Sequence, residues 1–386
     1  MTRIKNMKII AFYLPQFHNI PENDEWWGDG FTEWVNVKKT KPAFEGHSQP
    51  RVPLNQNYYN LLDDDVKIWQ AELAKKYGIY GFAYYHYWFN GHMLLEKPME
   101  QMLANKKVDM PFCISWANEP WTKAWVGNER KTLIAQHYGN EKEWKEHFDY
   151  LLQFFKDDRY IKVEGKPLFI IYRPEIIPCL NEMIDCWKKL AKENGFEGLK
   201  IACQSNDYYL IKNRDDSRID YNIEFQPDFS CGALRRQKFS TLRAIRRDIT
   251  RFVGKHFGID LYRIGQKTLR KLDKTNRVDY DKVWEKIVST KPFSKKNIPG
   301  AYVGWDNSPR YGERATIYMG DTPEKFEHYM DLQIKNAKEN YSTDMMFMYA
   351  WNEWAEGGYL EPDERSGYKN LEAVRNALVK NNEFPW

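Results

Sequence analysis

Two glutamates three positions apart, Glu353 and Glu356, stand in the run WNEWAEGGYLEPD (351–363), directly after the apolar stretch MMFMYA. Taking a carboxylate out of water is costly unless something pairs with it, so two acids at the end of a buried-strand pattern ask for a use. Acids in unlike environments can divide the work of glycosyl transfer. One exchanges a proton with the glycosidic oxygen while the other stabilises or traps the anomeric centre. Glutamates at this spacing also occur on solvated helix faces, where they do no chemistry. Here Trp351, Trp354 and Gly357 flank them, which suits a strand end better than an exposed helix.

Something must hold these acids, and the chain supplies a regular frame. Eight β-rich runs alternate with segments of helical period: 8–16, 80–88, 111–119, 167–175, 200–207, 221–228, 300–307 and 345–353. Between them, 63–78 carries acids in its first turn and Gly78 at its end, and 322–340 opens on Thr322 before Pro323, as helices do. Continuous apolar runs separated by helices indicate parallel strands buried on both faces. Eight such units predict a (β/α)8 TIM barrel: one catalytic domain over 1–386, with long inserted loops after strands 1 and 6.

In such a barrel the C-terminal strand ends open onto one face, where active sites are assembled. Those ends carry His86, Trp88, Trp116, Asn118, Glu119, Arg173, Glu224, Asp306 and Asn352. These residues, with Trp305 and with Trp354 beside the acids, form the expected substrate-binding set. Trp88, Trp116 and Trp305 are candidate stacking platforms, and aromatics at 16% with 15 Trp and 25 Tyr exceed what a core needs. His86 is equally a candidate core histidine, and Arg173 and Glu224 could pair with each other across the mouth.

The chain has 386 residues, 42% apolar and 29% charged, which excludes a disordered chain or a membrane-spanning bundle. The first sixteen residues read as a strand and not as a signal peptide, so a cytoplasmic protein is expected. Five cysteines without metal-type spacing read as reduced thiols. No HxxxH or HxH spacing supports a metal, and no Gly-rich phosphate loop supports a nucleotide cofactor. No cofactor is expected. The insertion 17–60, rich in Trp, Pro and Asn, would wall or cover the barrel mouth. A second insertion, 232–291, holds 17 Lys and Arg against six Asp and Glu. Its basic amphipathic stretch, 232–257, suggests peripheral contact with an anionic membrane surface. Basic residues and aromatics lie in different segments, which argues against nucleic-acid binding.

The blocks FYLPQFHNIPENDEWWGDGFTEWVNV, GIYGFAYYHYWFNG, FCISWANEPWT, LFIIYRP, GWDNSPR and WNEWAEGGYLEPD together resemble the WbsX-type family of bacterial surface-polysaccharide proteins, from about residue 8 to residue 375. Through NEWAEG and YLEP the chain also resembles, more narrowly, glycoside hydrolase family 99, the endo-α-mannosidase and endo-α-mannanase group. The second resemblance implies that Glu353 acts as a base on the sugar 2-hydroxyl and Glu356 as general acid/base at the glycosidic oxygen. The route would pass through a 1,2-anhydro intermediate with retention of configuration. It also implies that Asp306 and Arg310 of WDNSPR are substrate ligands. Ala355 stands where those hydrolases commonly carry His, which puts a mannose-type substrate in question. The expected function is a retaining glycosyltransferase of O-antigen or capsule biosynthesis, using a carbohydrate substrate and a lipid-linked acceptor at the inner face of the membrane. A retaining endo-α-mannosidase-like hydrolase and a non-catalytic carbohydrate-binding barrel are the alternatives.

Overall fold

The computed structural model describes residues 6–122, 132–207, 214–232, 234 and 275–386. Most of the basic insertion, including nearly all of 232–257, lies outside the described residues.

Every one of the eight runs forms a barrel strand. In chain order these are β1 (Lys8–Tyr13), β2 (Ile79–Phe89), β3 (Phe112–Trp116), β4 (Lys166–Ile171), β5 (Lys200–Ser205), β6 (Tyr221–Glu224), the short pair β7 (Asn297–Ile298) and β8 (Gly300–Tyr302), and β9 (Met345–Tyr349). Neighbours run β7-β6-β5-β4-β3-β2-β1-β9-β8, and every one of these pairings is parallel. The two ends of this path, β7 and β8, are halves of one strand interrupted at Pro299, so the sheet closes through the chain itself. Proline cannot donate to a ladder, which explains the break. At that seam a Cβ on Gly300 would lie 1.9 Å from the Glu224 carbonyl oxygen, so only glycine permits the close approach.

Helices cover the outer face, begun as their sequences indicate. Asp63 caps Asp64–Lys76 by accepting from the Asp65 amide (3.0 Å), and Thr322 caps Pro323–Asn340 by accepting from the Lys325 amide (3.3 Å). Inside the barrel Phe12 packs against Tyr85, Phe225 and Phe347, with ring centroids 5.4–5.6 Å apart. Beyond the barrel β2 turns at Asn90 and Gly91, both at positive φ, into an antiparallel partner, His92–Leu94. The hairpin raises one wall above the mouth. Among the described residues no helix is long and apolar enough to cross a membrane.

Glu224 faces the layer between sheet and helices. Asn297 Nδ2 donates to its Oε1 (2.6 Å) and the Tyr341 hydroxyl to its Oε2 (2.8 Å), while burial pushes the carboxyl up to about 7. Folding therefore takes up a proton between its ordinary value and pH 7, and the stability this group contributes is lost as pH rises through 7. Glu224→Gln should flatten that fall by up to about 3 kcal/mol, read from urea unfolding at pH 4.5 and pH 7.5. An unchanged pH slope would show that Glu224 does not carry the proton.

Candidate active site

The end of β2 and the loops following β1, β3, β4, β6, β8 and β9 enclose a cavity of about 370 Å³ at the C-terminal mouth. Glu353 and Glu356 both line it. They are delivered by a tight turn after β9, in which Trp354–Glu356 is a single helical turn ended by Gly357 in the left-handed region (φ 64°). A side chain at Gly357 would meet the Asp306 amide nitrogen at 2.9 Å, the same amide that donates to the Glu356 carbonyl at 2.7 Å. The turn is thus pressed against the loop that follows β8, and the contact brings the acids to Arg310.

Arg310 lies on the short helix Ser308–Tyr311. Its Nη1 donates to Glu356 Oε1 (2.6 Å) and its Nη2 to Glu353 Oε2 (3.4 Å). The same Nη2 is 3.3 Å from Oε2 of a third acid, Glu33, which is fully buried at the start of the helix Glu33–Lys39 in the first insertion. Tyr349 donates its hydroxyl to Glu356 Oε2. One cation among three carboxylates, Glu33 and Glu353 buried and Glu356 partly exposed, leaves excess negative charge, and in low dielectric such an excess is relieved by holding a proton. Burial pushes Glu353 up to about 8; Arg310 opposes this, and the charges of Glu356 and Glu33 add to it. Glu33 is also raised, by burial first, against the pull of Arg310. Burial works against the charge on Arg310, but the three acids outweigh it.

The remaining lining is aromatic and polar: Tyr85, Tyr87 and Phe89 from β2, Trp121, Tyr172, Phe225, Trp305, Tyr311 and Tyr349, with Gln16, Glu119 and Asn307. A wall of flat rings with a few convergent polar groups suits a ligand that is itself flat on one face and hydroxylated at its edge.

Of the residues expected here, Glu353, Glu356, Glu119, Trp305 and Arg310 line the cavity; the others do not. His86, Trp88 and Trp116 point to the helical layer. His86 Nε2 lies 3.0 Å from His147 Nε2, Trp88 stacks on His147 with centroids 4.5 Å apart, and Trp116 Nε1 donates to the Trp88 carbonyl. Burial lowers the His86 imidazole to about 3, as in a core histidine. Asn118 exchanges two hydrogen bonds with the Arg173 backbone, and Arg173 pairs with Glu119 and Glu175 instead of Glu224. Asp306 is buried under His47 Nε2 (2.8 Å) and Gln49 Nε2 (2.7 Å), so it ties the first insertion to the loop after β8. Asn352 clamps the Leu14 backbone from both sides, and Trp354 donates to Glu361 Oε2 (2.7 Å) while stacking on Tyr359.

The strand misplacements share one cause. Successive side chains on a strand face opposite ways, so choosing His86 and Trp88 selects the outer face of β2 and passes over Tyr85, Tyr87 and Phe89. The polar members of otherwise apolar strands were the available signal: Gln204 Nε2 donates to Ser115 Oγ (3.3 Å) inside the barrel, which sets the parity. Glu33 was missed as well. No sequence signal singled it out, since Glu–Trp steps stand also at 25–26 and 143–144, but Trp34 packs on Trp354 with centroids 5.4 Å apart. Among the described residues no group of three or more His, Cys, Asp or Glu is arranged to hold a metal.

A parallel barrel with a cavity at its C-terminal mouth places this chain among the (β/α)8 proteins, and its paired acids and rings suit carbohydrate chemistry. The chain is a member of the WbsX glycosyltransferase family: residues 9–374 match the family described as "Glycosyltransferase WbsX". It is 35% identical over 379 residues to the protein WxcX of Xanthomonas campestris pv. campestris strain B100, and 35% over 383 residues to WxcX of strain ATCC 33913. Each match takes in 96% of this chain and 50% of the relative, so the chain spans about half the length of these curated relatives. Among solved structures it is similar to the GH99 endo-alpha-mannosidase from Bacteroides thetaiotaomicron, with a TM-score of 0.54, 13% identity and 97% of each chain covered. That likeness is one of fold.

Removing the shared cation should be severe. Arg310→Met leaves three acids, two of them buried, without this counter-charge and is expected to cost about 3–5 kcal/mol in denaturant unfolding at pH 7. Adding Glu33→Gln to it should recover part of the loss. A double variant no more stable than Arg310→Met would mean that Glu33 does not share the guanidinium.

Proposed function

We propose that the protein is a retaining glycosyltransferase that extends a bacterial surface polysaccharide, O-antigen or capsule, on an α-linked sugar. The observation that carries this is the placement of Glu353 and Glu356 on one guanidinium within a single cavity lined by rings. Membership of the WbsX family supports the transfer reaction, and the mouth of the barrel has room for a sugar unit.

In this reading Glu353 takes the proton of the sugar 2-hydroxyl as O2 attacks C1. The C1–O bond to the leaving group breaks, and Glu356 gives that oxygen its proton. The acceptor hydroxyl then attacks C1, opening the 1,2-anhydro ring; its proton passes to Glu356 and O2 recovers the proton held by Glu353. Two inversions at C1 give net retention. Arg310 balances the charge that moves between the two acids, and Tyr349 orients Glu356. Glu119, Trp305 and Arg310, with Tyr85 and Tyr87, are the proposed sugar contacts. The acceptor in this reading is lipid-linked at the cytoplasmic face of the membrane, and the basic stretch 232–257 would dock there. Binding to anionic vesicles that weakens as salt rises tests that docking, and salt-independent binding or none argues against it.

The likeness of the barrel to an endo-alpha-mannosidase favours a second reading, hydrolysis, in which water replaces the acceptor. Incubation with nucleotide sugars plus lipid-linked acceptors, and in parallel with α-linked oligosaccharides, separates the two by mass spectrometry: transfer adds a sugar to the acceptor and hydrolysis shortens the oligosaccharide. In the active pairing Glu353→Gln and Glu356→Gln should each lower kcat about 10²–10⁴-fold with sugar binding retained. Unchanged rates in both variants would leave only a carbohydrate-binding barrel.

The base role fixes a pH dependence. Glu353 holds its proton up to about 8, so kcat/KM should rise with pH through that value as the carboxylate forms. A limb that falls across the same range would assign Glu353 the proton-donor role and exchange the parts of the two acids.

A further inference from the structure

Glu33 is a fully buried carboxylate outside the cavity lining, and its one ion pair among the described residues is the long contact to Arg310 Nη2 at 3.3 Å. Neither of its oxygens accepts a hydrogen bond meeting ordinary geometry among the described residues. A charge so poorly compensated lowers stability, and a packed amide or apolar side chain of similar volume would usually be better tolerated. The position is also well determined. Trp34, the next residue, is locked by its Nε1 donating to the Tyr59 carbonyl (2.8 Å) and by its contact with Trp354, while the Glu33 amide donates to the Gln16 carbonyl (3.1 Å). Backbone and neighbours therefore hold this acid against the guanidinium that serves the two acids of the cavity.

One nitrogen carries the consequence. Arg310 Nη2 lies 3.3 Å from Glu33 and 3.4 Å from Glu353, beyond the usual range of a charge-assisted hydrogen bond, whereas Nη1 sits at 2.6 Å from Glu356. We propose that Glu33 is a positioning residue: by drawing Nη2 away from Glu353, it makes Arg310 a firm partner of Glu356 and a weak one of Glu353, so Glu353 meets less of the positive charge. Without Glu33 the same guanidinium would be free to settle as a fork on both acids. Its functional meaning rests on the proposed division of roles between Glu353 and Glu356; the asymmetry itself does not depend on any reaction.

The groups facing Glu353 come from several elements. Arg310 supplies the positive charge, Glu356 and Glu33 the negative, and the phenols of Tyr85 and Tyr87 on β2 and of Tyr349 on β9 couple to it. Burial keeps those phenols neutral far above physiological pH, so the carboxylates and Arg310 set its balance. Replacing Glu33 by an amide removes a like charge near Glu353 and releases Nη2 toward it. Both effects act in one direction.

The test needs no substrate. The full chain is labelled with [δ-13C]glutamate, the Glu353 resonance is identified by its loss in Glu353→Gln, and its midpoint is followed from pH 4 to pH 10. In Glu33→Gln it should move down by about one pH unit or more, a tenfold fall in proton affinity, while the thermal midpoint stays the same or rises. Glu33→Asp keeps the charge but withdraws it by one methylene, so it should shift the midpoint in the same direction by less. An unmoved Glu353 midpoint in Glu33→Gln overturns the proposal. So does a lowered thermal midpoint with unmoved titration, which would make Glu33 a purely structural ion pair. If Glu33→Gln does not fold, the Glu33→Asp titration decides, and no shift there overturns the proposal. Should the titrations behave as expected while no sugar is turned over, the reaction assignment fails and the role of Glu33 in the charge balance stands.

Discussion

A single guanidinium shared by three carboxylates, two of them buried, is the constraint around which the mouth of this barrel is built. Arg310 meets Glu356, Glu353 and Glu33 from two other segments: the turn after β9 supplies two acids and the first insertion the third. Neither Glu33 nor Glu353 would be tolerated as a lone charge at such burial. Together they tie the first insertion, the loop after β8 and the final turn into one unit, and the Asp306 contacts to His47 and Gln49 repeat the same tie a short distance away. A net excess of acid over base is what separates this arrangement from an ordinary structural salt bridge.

The second organising feature is the barrel seam. β7 and β8 are two pieces of one strand parted at Pro299, and Gly300 lets β6 and β8 approach so closely that no side chain would fit. Closure there sets where the loop after β8 emerges, and so where Arg310 stands relative to the last strand. Stability and site share this geometry. The buried Glu224 at the same seam, outside the cavity, shows that a carboxyl raised by burial is not by itself a mark of chemistry: Asn297 and Tyr341 satisfy it fully.

The family match and the likeness of the barrel carry different information. Family membership extends over nearly the whole chain, whereas the similarity to a GH99 endo-alpha-mannosidase lies in the fold. A fold does not choose between water and an acceptor hydroxyl as the attacking group. The two acids would serve either partner, and the difference lies in what the loops admit to the mouth.

The amino-acid sequence by itself determined the eight parallel strands, because strands buried on both faces read as continuous apolar runs, and helix caps such as Asp63 and Thr322 mark what lies between. It also singled out Glu353 and Glu356, since charged residues after such a run are rare enough to stand out. Those same continuous runs hide which residues face inward: a strand covered on both sides shows no alternation of polarity, so Tyr85 could not be told from His86 by pattern. Only tertiary structure decided that parity. It also decided the meeting of Glu33 with Arg310, 277 positions away in the sequence, because a charge pair between distant loops leaves no periodic trace and exists only once the barrel has closed.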